Sequence, residues 1–243
     1  MKKPTNKQLI FGLHAVKAAL QNQKRKIIKL YMIESVFRKM EAFIPPAVNI
    51  DIVDPSFIAK KVPDSSPHQG ILLETCPLPS LTLEDIDLKT LKGPLILLDQ
   101  VSDPHNLGAI LRTAAVLKAT AVLQPQHNTP EPTNMIVSKT ASGALEHIPL
   151  IQVTNLARAM DYLKKNFVWC LGVDEHGVSI KEAAQKYDHV ALIMGAEGKG
   201  LRPLTRKSCD ALIAIPANPE FSTLNVSNAA AIAMYEFSHR SFH

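Results

Sequence analysis

From residue 94 onward the chain repeats one pattern: a short apolar run, then a stretch with helical period. The runs are PLILLD (94–99), TAVLQ (120–124), IPLIQV (148–153), FVWCLGV (167–173), VALIMG (190–195) and ALIAIP (211–216). Helical stretches are expected between most of them, at 106–118, 133–141, 155–165, 179–187 and 203–208, with a last one at 225–239. Strands that are apolar on both faces leave no side for water. The alternation therefore predicts an α/β fold, a mostly parallel sheet with helices over both faces. In such sheets ligands bind beyond the carboxyl ends of the strands, so the polar segments there are the place to look for function.

The first 76 residues have a different rhythm. Residues 12–22 put Leu13, Val16 and Leu20 on one helical face. IIKLYMI (27–33), VNIDIVD (48–54) and GILLETC (70–76) read as strands, with a short helix over 55–62. Together they predict a small α/β domain over 1–76, near the lower size for a self-sufficient core. Residues 77–93 begin with two prolines in three residues and keep no period, which marks a linker or boundary before a second domain over 94–243.

Charge separates the same two regions. The 243 residues carry a formal +5, yet the first 40 hold ten basic side chains and one acid, Glu34. The remainder is mildly acidic. A basic segment of this kind suits a polyphosphate, because each neutralised phosphate releases a condensed counterion; the ordinary alternative is a solvated lysine-rich surface. The apolar content, 46%, is ample for a core, and the longest uncharged run, 221–235, is too short and too polar to span a bilayer. Lys17 and His14 interrupt the weakly apolar start, so no signal peptide is read. Cys76, Cys170 and Cys209 are odd in number and far apart, which argues against disulfides and a zinc site and for a reducing compartment, the cytoplasm. The nine histidines form no H-E-x-x-H motif, so no metal is expected.

Three strand ends carry polar clusters. After the first strand comes DQVSDPHNLG (99–108), then a helix containing Arg112. Asn106 sits at the helix entrance, where its ordinary role is an N-cap, and Arg112 lies six residues on, where its ordinary role is a surface ion pair. After the fifth strand comes GAEGKGL (195–201), with glycines at 195, 198 and 200 that permit close backbone approach or positive φ. Neither segment is a dinucleotide fingerprint, and Lys199 is followed by Gly200 rather than the Ser or Thr of a phosphate-binding loop. After the sixth strand comes IPANPEFSTLNVS (215–227), whose Thr223 or Asn225 would cap the Ala-rich helix that follows.

Each segment is weak alone, but DPHNLGAILRTA (103–114), LIMGAEGKGLRP (192–203) and IP…STLNVSNAAAIAMYE (215–236) in this order are together specific. The chain resembles the SpoU (TrmH-like) branch of the SPOUT superfamily of RNA ribose 2′-O-methyltransferases. The resemblance implies a C-terminal SPOUT domain with a deep trefoil knot, an L30e-like RNA-binding N-terminal domain, and a homodimer that contributes catalytic groups across its interface. It implies methyl transfer from S-adenosylmethionine to the ribose 2′-hydroxyl of a guanosine in 23S rRNA. A tRNA ribose and a non-catalytic role in ribosome assembly are the alternatives.

By the same resemblance, main-chain groups at Gly195, Ile215 and Leu224 hold the adenine of the cofactor. Arg112 is the family's base with RNA phosphate assisting, or more safely a phosphate-binding and charge-stabilising group, since a guanidinium does not ordinarily lose its proton. Asn106, Glu197 and Asn225 orient Arg112 and the ribose, and Thr223 supplies a hydroxyl where the family usually has serine. Lys24, Arg25 and Lys26 are the expected RNA contacts of the basic segment. Ala217 and the Asn218-Pro219-Glu220 stretch depart from the family pattern, in which a methionine and then a glycine follow the Ile-Pro.

Overall fold

The computed structural model describes residues 7–64, 66–218, 220 and 223–238, which fall into two compact units. One comprises the chain up to Pro79 together with Glu131–His147; the other comprises Ser80–Pro130 and the chain from Ile148 onward. Among the described residues no helix is long and apolar enough to cross a membrane.

The first unit opens with β1 (Gln8–Phe11), then α1 (Leu13–Gln21), β2 (Ile27–Met32), α2 (Glu34–Met40), β3 (Ile50–Ile52), α3 (Pro55–Ala59) and β4 (Ile71–Thr75). The sheet order is β1-β4-β2-β3, antiparallel except between β2 and β3. Helix α1 buries Ala15, Val16, Ala19 and Leu20 against Ile10, Leu30, Met32, Ile71 and Leu73 of the sheet, the face its period anticipates. Strand β1 has no counterpart in the sequence reading. Its four residues are too short to show a period, and Gly12, at φ 91°, turns the chain straight into α1. The helix expected over 55–62 stops at Ala59.

The second unit begins within the stretch read as a linker. Leu83 and Leu88 are buried in its core, so this part of the connection is packed rather than free. Strand β5 (Leu95–Asp99) leads to α4 (Pro104–Val116) and β6 (Ala121–Pro125). Next comes α5 (Met135–Ala141), which belongs to the first unit although its sequence lies inside the range expected for the C-terminal domain. There the Arg25 guanidinium reaches Glu146 just beyond α5, with N–O distances of 2.8–3.1 Å and both side chains almost wholly buried.

The second unit resumes with β7 (Leu150–Val153), α6 (Leu156–Lys165), β8 (Trp169–Ser179), α7 (Ile180–Lys186), β9 (Val190–Gly195), α8 (Pro203–Lys207), β10 (Ala211–Ala214) and α9 (Val226–Ser238). All six expected strands are present and every pairing is parallel, in the order β10-β8-β9-β5-β6-β7. Leu95 and Leu97 of β5 pack with Leu156, Met160 and Leu163 of α6. The alternate residues Ile96 and Leu98 are equally buried, on the opposite face by the two-residue period of a strand. Helix α9 packs against α4, α7 and the sheet, and α4 and α7 also meet the sheet, so with α6 on the other face both faces are covered.

The chain runs from β5 outward through β6 to β7, then returns to build β8, β9 and β10 on the other side of β5. The order therefore reverses between β5 and β9, the place where open parallel sheets bind ligands.

Candidate active site at the β5–β9 switch point

Asp99 ends β5 and lies in register with Gly195, which ends β9, so the two loops leave the sheet side by side. Helix α4 is capped not by Asn106 but by Asp103, whose Oδ1 accepts the His105 N–H at 2.9 Å, with Pro104 filling the first helical position. The cap role expected of Asn106 is already filled, and its side chain turns instead to the other loops. Asn106 Nδ2 donates to Glu197 Oε2 at 3.5 Å. Asn225 Nδ2 donates to Asn106 Oδ1 at 3.0 Å and to Glu197 Oε2 at 3.4 Å. Asn225 also caps α9, its Oδ1 accepting from the Ser227 N–H at 2.9 Å and the Ser227 hydroxyl at 2.6 Å. One amide thus satisfies the helix end through its oxygen and joins the site through its nitrogen.

Glu197 is carried by a tight turn. Ala196 and Gly200 exchange two backbone hydrogen bonds of 3.1 and 2.9 Å, and Gly198 and Gly200 take positive φ inside it. Gly195 is required by space: a Cβ there would lie 2.3 Å from the Gly200 carbonyl carbon and 2.5 Å from the Leu201 nitrogen. Beside the turn is a cavity of about 330 Å³ lined by Ser102, Asp103, Asn106, Asn128, Glu197 and Lys199, among others. Ser102, Asn128 and Lys199 carry no motif that marks them in the sequence, and neither does the ion pair of the buried Asp99 with Arg202. A lone acid closing an otherwise apolar strand was the available signal for Asp99.

The other expected residues stand apart from this network. Arg112 is exposed on α4, and its side chain makes no hydrogen bond or ion pair among the described residues. Six residues from Asn106, it lies about 9 Å further along the helix and turned well away in azimuth. Thr223 is exposed and makes no hydrogen bond among the described residues; Ile215 is half-buried and Leu224 is exposed. Pro219 and Ser222, in the divergent loop, lie outside the described residues. Burial pushes the Cys170 and Cys209 thiols up to about 12, with the Asp210 carboxylate adding to the effect, so both are poor nucleophiles at neutral pH.

The basic segment divides in the fold. Lys24 and Lys26 are exposed with no acidic partner among the described residues, whereas Arg25 is buried against Glu146 and also donates to Gln8 Oε1 and the Cys76 carbonyl. This corrects the expectation that Arg25 contacts RNA: its guanidinium is enclosed in the fold. Lys7 pairs with Glu74, Lys29 with Asp51 at 2.7 Å and Arg38 with Glu34 at 3.0 Å. Part of the N-terminal positive charge is therefore neutralised internally. Lys2 and Lys3 lie outside the described residues.

The chain thus combines a polar cluster at the switch point of a parallel sheet with a separate α/β unit. Comparison with known proteins narrows the class. Residues 93–235 match the SpoU rRNA methylase family and residues 9–81 match the family described as RNA 2′-O ribose methyltransferase substrate binding. The chain belongs to the SpoU rRNA methylase family. It is 38% identical over 239 residues to the 23S rRNA (guanosine-2′-O-)-methyltransferase RlmB of Shewanella oneidensis, covering 94% of this chain and 95% of that protein. It is 37% identical over 238 residues to the enzyme of the same name from Vibrio vulnificus, at 94% and 95% coverage. Among solved structures, the SpoU methyltransferase AviRb of Streptomyces viridochromogenes in complex with AdoMet shares the fold with a TM-score of 0.81 at 20% identity, covering 98% of this chain and 91% of that one.

Proposed function

We propose that this chain transfers a methyl group from S-adenosylmethionine to the ribose 2′-hydroxyl of a guanosine in 23S rRNA. The observation that carries the reading is the meeting of Asn106 on the first turn of α4, Glu197 on the turn after β9 and Asn225 at the start of α9, in a chain whose curated relatives are named for that reaction. Such a transfer is an in-line displacement, so what the protein must provide is position, orientation and charge stabilisation.

Bound S-adenosylmethionine supplies an electrophilic sulfonium methyl group. The residues assigned to its adenine suit that ligand: the main-chain groups of Ile215 and Leu224 make no hydrogen bond to other described residues. Gly195 brings the backbone of the next turn within a distance no side chain would tolerate. Asn106, Glu197 and Asn225 orient the ribose through two amides and a carboxylate, with Thr223 offering a hydroxyl. Arg112, permanently charged and unpaired within the described chain, binds an RNA phosphate and stabilises the negative charge growing on the attacking oxygen. The RNA phosphate assists removal of the 2′-hydroxyl proton.

The same reading makes the parallel-sheet unit a deeply trefoil-knotted SPOUT domain, one of the rare exceptions to unknotted topology. It makes the N-terminal unit an L30e-like RNA-binding module, with Lys24 and Lys26 facing phosphate. The protein works in the cytoplasm as a homodimer, a state that the exposure of Ile232 (37%) and Tyr235 (53%) on α9 supports.

Calorimetric titration with S-adenosylmethionine, paired with single-turnover methyl transfer to 23S rRNA, tests the roles. Arg112→Ala is expected to lower turnover at least about 100-fold while cofactor affinity stays within about twofold. Loss of cofactor binding in that variant would instead make Arg112 part of the cofactor site.

A further inference from the structure

We propose that Asp99 and Arg202 are positioning residues that hold the Glu197 turn against Asn106 and Asn225. The inference rests on the assignment of Glu197 to the active site made above. The Asp99 side chain is fully buried at the end of β5, where an ionised carboxylate must be met by opposite charge and hydrogen bonds. Both come from a single residue. The Arg202 N–H donates to Asp99 Oδ2 at 2.9 Å, and Arg202 Nε–H donates to Asp99 Oδ1 at 2.6 Å.

The main chain of Asp99 is meanwhile in ladder register with Gly195. Asp99 thus fastens both ends of one loop: its backbone holds Gly195, where the turn leaves β9, and its carboxylate holds Arg202, where the turn ends and α8 begins. Between these points the Ala196–Gly200 hydrogen bonds close the turn and Leu201 is buried in the core.

This frame determines where Glu197 stands. Glu197 is exposed, and its own contacts with Asn106 and Asn225, at 3.5 and 3.4 Å, are at the weak end of hydrogen bonding. Contacts of that length do not fix a carboxylate by themselves; the closed frame beneath it does. A misplacement of about 1 Å at a reacting centre costs about 100-fold in rate.

Arg202 is the better residue to change, because its side chain is 45% exposed whereas Asp99 is wholly buried. Arg202→Gln keeps the backbone N–H but removes the charge and the Nε contact. Two readouts on the full-length protein decide the matter. The first is hydrogen exchange at the Gly200 amide, expected to quicken about tenfold or more relative to the amides of β6 in Arg202→Gln, beyond the even quickening that a lowered thermal midpoint alone would give, with Arg202→Lys intermediate. The second is single-turnover methyl transfer, expected to fall about 100-fold in Arg202→Gln but less than about threefold further when Glu197→Ala is already present. A purely structural contribution would instead give the same loss in both backgrounds, and that result would overturn the inference. Unchanged exchange at Gly200 would overturn it as well. Exchange requires no substrate, so absence of methyl transfer by the unaltered protein would count against the proposed activity alone.

Discussion

Lys24, Arg25 and Lys26 are consecutive and share a sign, yet their surroundings give them opposite work. The buried Arg25–Glu146 pair is satisfied from both sides, with Asn22 Nδ2 also donating to Glu146 at 2.7 Å. Replacing Arg25 by Met leaves the Glu146 carboxylate buried and unmatched, and is expected to cost about 3–5 kcal/mol in chemical unfolding. Neutralising Lys24 and Lys26 together is expected to leave stability within about 0.5 kcal/mol and to reduce the slope of log affinity for RNA against log salt by about 2. An unchanged slope would remove these lysines from the RNA surface. No pattern in the sequence separates the three residues, because the partner that claims Arg25 lies 121 residues away. Asn106 shows the same limit: it was readable as a polar residue at a helix start, but its freedom from capping depends on Asp103 taking the cap.

At the scale of elements, the six strands of the larger sheet were legible because strands buried on both faces must be apolar at nearly every position, and the helices because their periodic faces had to lie against that sheet. The allegiance of α5 was not legible. An apolar helical stripe reports that a helix is buried, not which core receives it, and α5 lies with the N-terminal unit although its neighbours in sequence do not. The glycines of the 195–201 turn were legible as a close approach or positive φ, and the structure assigns each its reason. Gly195 has no space for a Cβ, whereas Gly198 has open space around it and is required only by its φ of 73°. Gly195→Ala is therefore expected to displace the turn and lower methyl transfer about 100-fold. Gly198→Ala should cost about 1–2 kcal/mol of left-handed strain and little of the cofactor affinity. Methyl-transfer assays, calorimetry with the cofactor and thermal melts on the two variants separate these outcomes; equal effects would mean that close packing at Gly195 has no special part in the site.

For the whole molecule, the class of sheet followed from the sequence but the order of its strands did not, since periodicity is silent about which strands become neighbours. That order is what places the β5 and β9 loops side by side and lets the loop after β10 reach them. The assembly belongs to this scale too. Ile232 and Tyr235 expose apolar surface on α9, and a homodimer is expected to bury it. Light scattering at micromolar concentration should report twice the 26.7 kDa chain mass, and Ile232→Asp should shift it toward one chain. A single-chain mass for the unaltered protein would contradict the dimer.

The most direct test of the account is methyl transfer from labelled S-adenosylmethionine to total RNA of cells lacking this gene, followed by mapping of the modified nucleotide. The account predicts one new 2′-O-methyl mark, on a guanosine of 23S rRNA, absent when Arg112→Ala is used. A mark on tRNA would retain the chemistry and contradict the substrate, and no transfer to any RNA by protein that binds the cofactor would contradict the activity itself.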